Sequence, residues 1–321
     1  MENRGALGIA FITAGMISIS VNDMMIKELS GGYPLHQMVF VRSSIGIVFS
    51  LLLVHLEGGL SILRTEQPWL HSLRGLMIVA ANMTYFAALA VLPLADATAL
   101  FFVAPLFITV LSIPILGEKV GPMRLGAVVI GFLGVLLMQR PWASGADLEV
   151  DRIILLLPVI SAFLYAANQI LTRKLGATTK ASALAVYIQS AFILVAALFW
   201  LVAGDGRYAE GVDNPSLIFL LRAWVWPEGF DWWLFVGLGL NSAIIGYCLS
   251  AAYRMADAAT VAPFEYIGLP LAVFWGWSIF GTLPGWEVWI GMVLIVASGL
   301  FVFLRERQKS RRIAAAQVKL R

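Results

Sequence analysis

Apolar residues in this chain come in long unbroken runs, not at the two-residue or 3.6-residue spacing of a half-buried strand or helix. Ten runs stand out, at about 5–27, 35–55, 72–92, 95–116, 123–139, 153–172, 182–203, 232–253, 258–280 and 286–304. A helix needs roughly 20 mostly apolar residues to cross a bilayer, and each run approaches or exceeds that length. None alternates apolar and polar over about ten residues, as a membrane β-strand would. The pattern predicts an all-α integral membrane protein of ten transmembrane helices. The fifth run is short, and the third and fourth meet at a tight Leu92-Pro93-Leu94-Ala95-Asp96 boundary, so nine and eleven are the neighbouring counts. The first run follows a head of only Met1-Glu2-Asn3-Arg4 and continues into Asn22-Asp23 without a small-x-small site. It reads as a span, not as a cleaved signal peptide.

Composition strengthens this reading. Hydrophobic residues make up 60% of the 321 positions and charged ones 13%, against roughly 25% charged in soluble domains. Mean hydropathy is +0.87. The deficit of charge runs along the whole chain, so lipid replaces water over most of the surface. The single cysteine, Cys248, excludes an internal disulfide and a cysteine-based metal cluster within one chain, and it reads as a small apolar filler. No metal or cofactor is expected.

The net charge of +3 does not point to nucleic acid, because seven basic residues lie between Arg305 and Arg321. Residues 306–321 read as a basic cytoplasmic tail facing anionic membrane lipids. With both termini inside, 16 Lys and Arg fall on the cytoplasmic side and five outside, with Arg42 within a span. That bias and an even span count agree on a multi-pass inner (plasma) membrane protein with both ends cytoplasmic.

Two stretches, 5–140 and 152–305, echo each other. Asn22-Asp23-Met24-Met25-Ile26-Lys27-Glu28-Leu29 closes span one, and Asn168-Gln169-Ile170-Leu171-Thr172-Arg173-Lys174-Leu175 closes span six. Phe40-Val41-Arg42-Ser43 matches Tyr187-Ile188-Gln189-Ser190, and Ala95-Asp96-Ala97 matches Ala256-Asp257-Ala258. Gly126 and Gly134 recur, at the same separation of eight, as Gly291 and Gly299. Five spans per repeat invert the second half relative to the first. Two inverted five-helix repeats that rock around a midplane site are a signature of secondary transporters.

Several segments carry a resemblance to a known family. They are Asn22-Asp23-x3-Lys27, Phe102-Val103-Ala104-Pro105-Leu106, Leu116-Gly117-Glu118-Lys119, Gly126-x4-Gly131-x2-Gly134 and Ala262-Pro263-Phe264-Glu265-Tyr266. Across about 5–305 the chain resembles the drug/metabolite transporter superfamily, of the ten-span EamA type. It departs from that pattern at Gly281-Thr282, where the second half usually repeats a Gly-Glu, so no role needing a symmetric carboxylate pair carries over. The resemblance implies a basket whose spans one, three, four, six, eight and nine line a central cavity. Spans five and ten would pack peripherally or against a partner, which makes a homodimer a candidate assembly. It also implies small-metabolite cargo: amino acids and their derivatives exported, or riboflavin-like vitamins and S-adenosylmethionine-type compounds taken up.

Ionisable groups inside spans are costly and therefore candidates for function. Arg42 lies about seven residues into span two and Glu265 about seven into span nine. They are read as substrate contacts, proton-coupling groups or a gating ion pair, against a structural pair that sets helix register. Asp96 and Asp257 suit helix capping, and Glu118 and Lys119 a solvated interface or a gate contact. The neutral polar set is Asn82, Tyr85, Tyr165, Asn168, Gln169, Tyr187, Gln189, Asn241, Tyr247 and Tyr266. Tyr165, Asn168 and Gln169 share one helix face, as do Asn82 and Tyr85. These groups suit interhelical hydrogen bonds or a site for an uncharged or zwitterionic solute. Pro105, Pro114, Pro263 and Pro270 break backbone bonding in spans four and nine, the expected moving parts. Trp224, Trp226, Trp232, Trp233 and Trp286 suit an interfacial belt, and the long 204–231 loop has room for a short helix over Pro215–Trp226.

An intramembrane enzyme acting on a lipid or membrane substrate is the rival class. Its parts are missing: Gly276-Trp277-Ser278 is a weak Gly-x-Ser, and His36, His55 and His71 all precede it. No zinc, prenyl-diphosphate or ATP-binding motif appears. No catalytic residue is assigned.

Overall fold

A computed structural model describes residues 2–117, 120–143, 150–175, 181–255 and 262–319. Glu118, Lys119, Asp257 and Lys180 lie outside the described residues. The described chain is helical, in the order α1 (Glu2–Leu29), α2 (Leu35–Glu57), α3 (Pro68–Leu89), α4 (Leu94–Phe101), α5 (Ala104–Leu116) and α6 (Pro122–Gln139). Then follow α7 (Arg152–Leu175), α8 (Ala181–Ala203), α9 (Pro215–Leu221), α10 (Asp231–Met255), α11 (Gly268–Ser278) and α12 (Trp286–Lys319). Nine helices among the described residues are long and apolar enough to cross a membrane, with α4 and α5 counted as one. Of the expected ninth span, 258–280, residues 258–261 lie outside the described residues, and the described part is a 3-10 turn over Ala262–Ile267 followed by α11.

Proline chemistry explains the interruptions. Pro105 lacks an N–H and its ring would strike the carbonyl of Phe101 in a continuous helix. The chain therefore ends α4 at Phe101 and restarts at Ala104, with Pro105 in the first turn of α5. Pro263 lies in the 3-10 turn and Pro270 in the first turn of α11, where a missing donor costs little. Pro158 lies inside α7 without ending it, so proline alone did not decide where the helices break.

Helices pair antiparallel: α1 with α10, α2 with α8, α3 with α7 and α6 with α12. The resulting bundle has two ends. Its distal end carries the 30–34, 90–93, 204–230 and 279–285 connections; its proximal end carries the N-terminus and the 58–67 connection. Exposed Val48, Leu133, Leu194 and Val293 stud the outside, as a lipid-facing surface requires.

The α6–α12 contact depends on glycine. A Cβ on Gly134 would lie 3.0 Å from the Gly291 carbonyl oxygen, and one on Gly131 would lie 2.4 Å from Ser298 Oγ. Small residues let two backbones approach without a hydrophobic driving force. Of the echoed glycines, Gly134 and Gly291 face each other, Gly299 packs on Tyr266, and Gly126 meets nothing within 4 Å. Arg140 and Glu287 close the distal end of this pair with an ion pair of 2.9 Å.

A strap between α8 and α10 covers the distal end. Gln37 donates from Nε2 to Val225 O at 2.6 Å and accepts from Val225 N at 3.2 Å. Arg222 donates to Gly31 O at 2.5 Å, Ser216 to Ala87 O at 2.6 Å, and Tyr33 to Asp231 at 2.7 Å. Burial, and then the Asp231 hydrogen bond, push the Tyr33 phenol above its usual range. Trp224 packs its ring against Phe40, His36 and Trp200 within the strap. The short helix expected in this loop is α9, capped by Asn214.

Candidate functional site

Four helices bring polar groups together near the distal end. Asp23 comes from α1, Arg42 from α2, Asn82 and Tyr85 from α3, and Thr98 from α4. Each of the first four lies within about seven residues of its helix's distal end, or ~10 Å at 1.5 Å per residue. Arg42, only 8% exposed, donates to Asn82 Oδ1 at 3.3 Å. Its guanidinium lies 5.9 Å from the Phe86 ring centre and 5.4 Å from that of Phe192, cation–π contacts that replace part of its lost hydration. Asp23 interacts electrostatically with Arg42 and accepts from Tyr85 at 3.1 Å and from Asn22 at 3.2 Å. The Tyr85 hydroxyl is also 3.1 Å from Thr98 Oγ1.

Closer to the distal end than this group, Lys27 donates to Leu89 O at 2.8 Å and to Leu92 O at 2.7 Å. A lysine there satisfies carbonyls left over at the C-terminus of α3 and suits its dipole. Asp96 is its electrostatic neighbour. The expected capping role for Asp96 is not seen: the N-cap of α4 is Pro93, with no side-chain cap, and Asp96 Oδ1 is buried without a hydrogen-bond partner among the described residues. The proline fixes the backbone one turn early and leaves the aspartate inside the first turn.

A second group forms where α7 meets the 3-10 turn. Gln169 donates to the Tyr165 hydroxyl at 2.8 Å. The Glu265 carboxylate lies within electrostatic reach of both Tyr165 and Tyr266. Asn168 is buried on the same helix. Phe101 links the two groups, with its ring centre 5.3 Å from Tyr85 and 5.5 Å from Tyr165. Phe102 turns the other way, 5.3 Å from Tyr266. The break between α4 and α5 lets these adjacent aromatics face different partners.

Seven of the expected residues thus fall in two joined groups: Arg42, Asn82 and Tyr85 in one, and Tyr165, Gln169, Glu265 and Tyr266 in the other. Arg42 is matched with Asp23 and Asn82, while Glu265 belongs to the second group. Asp23, Thr98, Phe101 and Phe102 are the additions. Asp23 lay in the Asn22-Asp23-x3-Lys27 segment as a charge six residues from a helix end, which was the available signal. Asn241 and Tyr187 serve packing, donating to Ser18 O at 2.6 Å and Leu63 O at 2.7 Å.

Tyr247 lies elsewhere, edge-on to Phe11 at 5.8 Å. It lines a cavity of about 550 Å³ between α1, α2, α8 and α10, with Gly46, Phe49, Glu57, Gln189 and Ser242 among its walls. These are spans one, two, seven and eight, whereas the resemblance implied spans one, three, four, six, eight and nine. Glycine is the local reason. Without a Cβ, Gly46 leaves room for Gln189, whose Nε2 would otherwise lie 2.6 Å from it.

A profile of the EamA-like transporter family matches residues 6–140. A riboflavin transporter from Vibrio cholerae is 32% identical to this chain over 312 residues, covering 96% of each protein. An S-adenosylmethionine uptake transporter from Rickettsia prowazekii is 26% identical over 94% of each. One solved crystal structure superposes with a TM-score of 0.60 at 21% identity, covering 92% of this chain and 98% of the other, a likeness of fold alone. Nine apolar membrane-length segments among the described residues, a family profile over residues 6–140 and near-complete coverage at 32% identity converge: this multi-pass membrane chain belongs to the EamA-like transporter family of the drug/metabolite transporter superfamily.

Proposed function

We propose that the chain is a secondary active transporter that moves an uncharged, riboflavin-like heteroaromatic metabolite across the inner membrane by alternating access. The observation that carries this reading is the near full-length similarity to a protein named as a riboflavin transporter. In this reading 262–278 is the ninth of ten spans, the halves 5–140 and 152–305 are inverted repeats, and both termini are cytoplasmic. The distal end is then extracytoplasmic and closed by the strap, and the proximal cavity faces the cytoplasm. Asp23, Arg42 and Tyr85 form the closed side of the pathway. Phe101, Tyr165 and Glu265 continue it, and Asp23 or Glu265 carries the coupled proton.

A second cargo, the sulfonium cation S-adenosylmethionine, is favoured by the Glu57 carboxylate in the cavity wall and by the Rickettsia relative. The test is growth of a riboflavin auxotroph expressing the chain on limiting riboflavin, with uptake of labelled riboflavin measured with and without an uncoupler. Uptake that an uncoupler abolishes supports the reading. Absence of riboflavin and S-adenosylmethionine transport in either direction, by a chain present in the membrane, overturns it.

A further inference from the structure

The cavity between α1, α2, α8 and α10 combines features that packing does not require. A volume of about 550 Å³ lies within the roughly 300–1,000 Å³ of small-molecule sites. Its walls are mainly apolar, with Phe49 from α2 and Tyr247 from α10 supplying aromatic surface. Tyr247 is 52% exposed, and its hydroxyl makes no hydrogen bond to the described residues.

The polar groups are placed at two levels. At the deeper level Gln189 donates to Ser242 Oγ at 3.3 Å, and its amide oxygen accepts nothing from the described residues. An amide in a membrane-embedded wall with its carbonyl oxygen and one N–H unused is costly unless water or a ligand completes it. At the proximal level Glu57 accepts from Ser182 at 2.8 Å. Gly46 and Glu57 are eleven residues apart on one helix, so the levels are separated by ~16 Å. Gly46 is the position that keeps the deep level open, because any side chain there drives the Gln189 amide aside.

We infer that this cavity is a cargo-binding site for a planar nitrogen heterocycle, its amide-like edge on Gln189 and Ser242 and its uncharged or cationic tail directed to Glu57. The inference rests on the transport reading above and deepens it by naming the site. A ring edge carrying both N–H and C=O groups complements a carboxamide, which donates and accepts in one plane. Aromatic walls hold the ring faces by area and offset stacking. A carboxylate at the tail end favours hydroxyl groups or a positive charge and disfavours an anion.

Purified full-length protein tests this by quenching of riboflavin fluorescence, with labelled S-adenosylmethionine as second probe and thermal unfolding as the control for folding. Gln189→Leu and Gly46→Ala, each with wild-type unfolding temperature, are expected to weaken the binding of whichever probe the wild type binds by about tenfold or more. Gln189→Asn is expected to recover part of that loss. Glu57→Gln is expected to change riboflavin binding less than twofold and to weaken S-adenosylmethionine binding at least fivefold if that is the cargo. Wild-type binding left unaltered by folded Gln189→Leu and Gly46→Ala overturns this site and leaves the transport reading standing. If those two substitutions unfold the protein, Tyr247→Leu and Ser242→Ala replace them, with unaltered binding again the overturning result. A wild type that neither binds nor transports either probe overturns the transport reading, and the site with it.

Discussion

Arg42 and Gln189 stand at matching places in two similar stretches of sequence, yet their surroundings are opposite. Arg42 is held near the distal end by Asn82, Asp23 and two aromatic rings, under a strap that closes that end. Gln189 lies toward the proximal end and opens on a cavity, with one hydrogen bond to Ser242. Asp23 and Gln169 form a second matched pair, the first bonded to Tyr85 and the second to Tyr165. At these two matched places the first half carries charges and the second amides. A buried charge needs full compensation and so favours a closed, well-packed state; an amide tolerates an opening to water at small cost. The proposed closed and open sides of the pathway therefore differ in chemistry as well as in packing.

Removing the charge should give the largest effect. Arg42→Leu takes away the bond to Asn82 and the positive charge that offsets buried Asp23, and stripping buried charged and polar groups of compensation costs ~3 kcal/mol or more; thermal unfolding in detergent should show it together with near-complete loss of uptake. Asp23→Asn combined with Arg42→Gln should recover most of the stability, because two neutral groups need no counter-charge. If uptake returns as well, the charged side is structural and the contrast between the halves carries no function.

Packing changes come next. Gly299→Ala puts a Cβ within 1.8 Å of the Tyr266 hydroxyl, and overpacking of this kind costs ~1–3 kcal/mol. The unfolding temperature should fall, and uptake should fall with it if Tyr266 and Glu265 border the pathway.

Loosening the strap should be milder. Gln37→Ala removes both bonds to Val225 and leaves two backbone groups to water, a loss of ~1–2 kcal/mol. With Cys248 replaced by serine and a cysteine placed at Asn82, a membrane-impermeant thiol reagent added from the distal side should label the Gln37→Ala form faster than its parent. Equal labelling would separate the strap from closure. The smallest change is expected from Tyr165→Phe, which removes the acceptor for Gln169 at ~1 kcal/mol and should alter apparent cargo affinity by only a few-fold.

The positions of the spans were legible because crossing a bilayer is a matter of local length and polarity. Nine of the ten expected runs match apolar membrane-length segments to within a few residues, although α12 continues as helix through the basic tail to Lys319; the proline at 105 marked the break between α4 and α5. Residues 262–278 differ in form, because Pro263 and Pro270 turn the expected single span into a 3-10 turn and a shorter helix. In the candidate site, Arg42 and Glu265 were readable as charges inside apolar runs. Asp23 was harder to read, since it lies near the end of a run where solvated carboxylates are common. Phe101 and Phe102 were invisible among 19 phenylalanines until the helix break gave them different neighbours.

By itself, the sequence determined that this is a membrane protein, roughly where the helices run and which polar residues are enclosed by apolar ones. Those properties depend on neighbours a few positions away. Tertiary structure alone decided that Arg42 bonds Asn82 and offsets the charge of Asp23, and that glycines seal α6 to α12. It alone showed that the large cavity opens between α1, α2, α8 and α10. Partnership across a bundle depends on the rotation and offset of helices far apart in the chain, and apolar runs lipid-tolerant on every side leave both open until the helices pack.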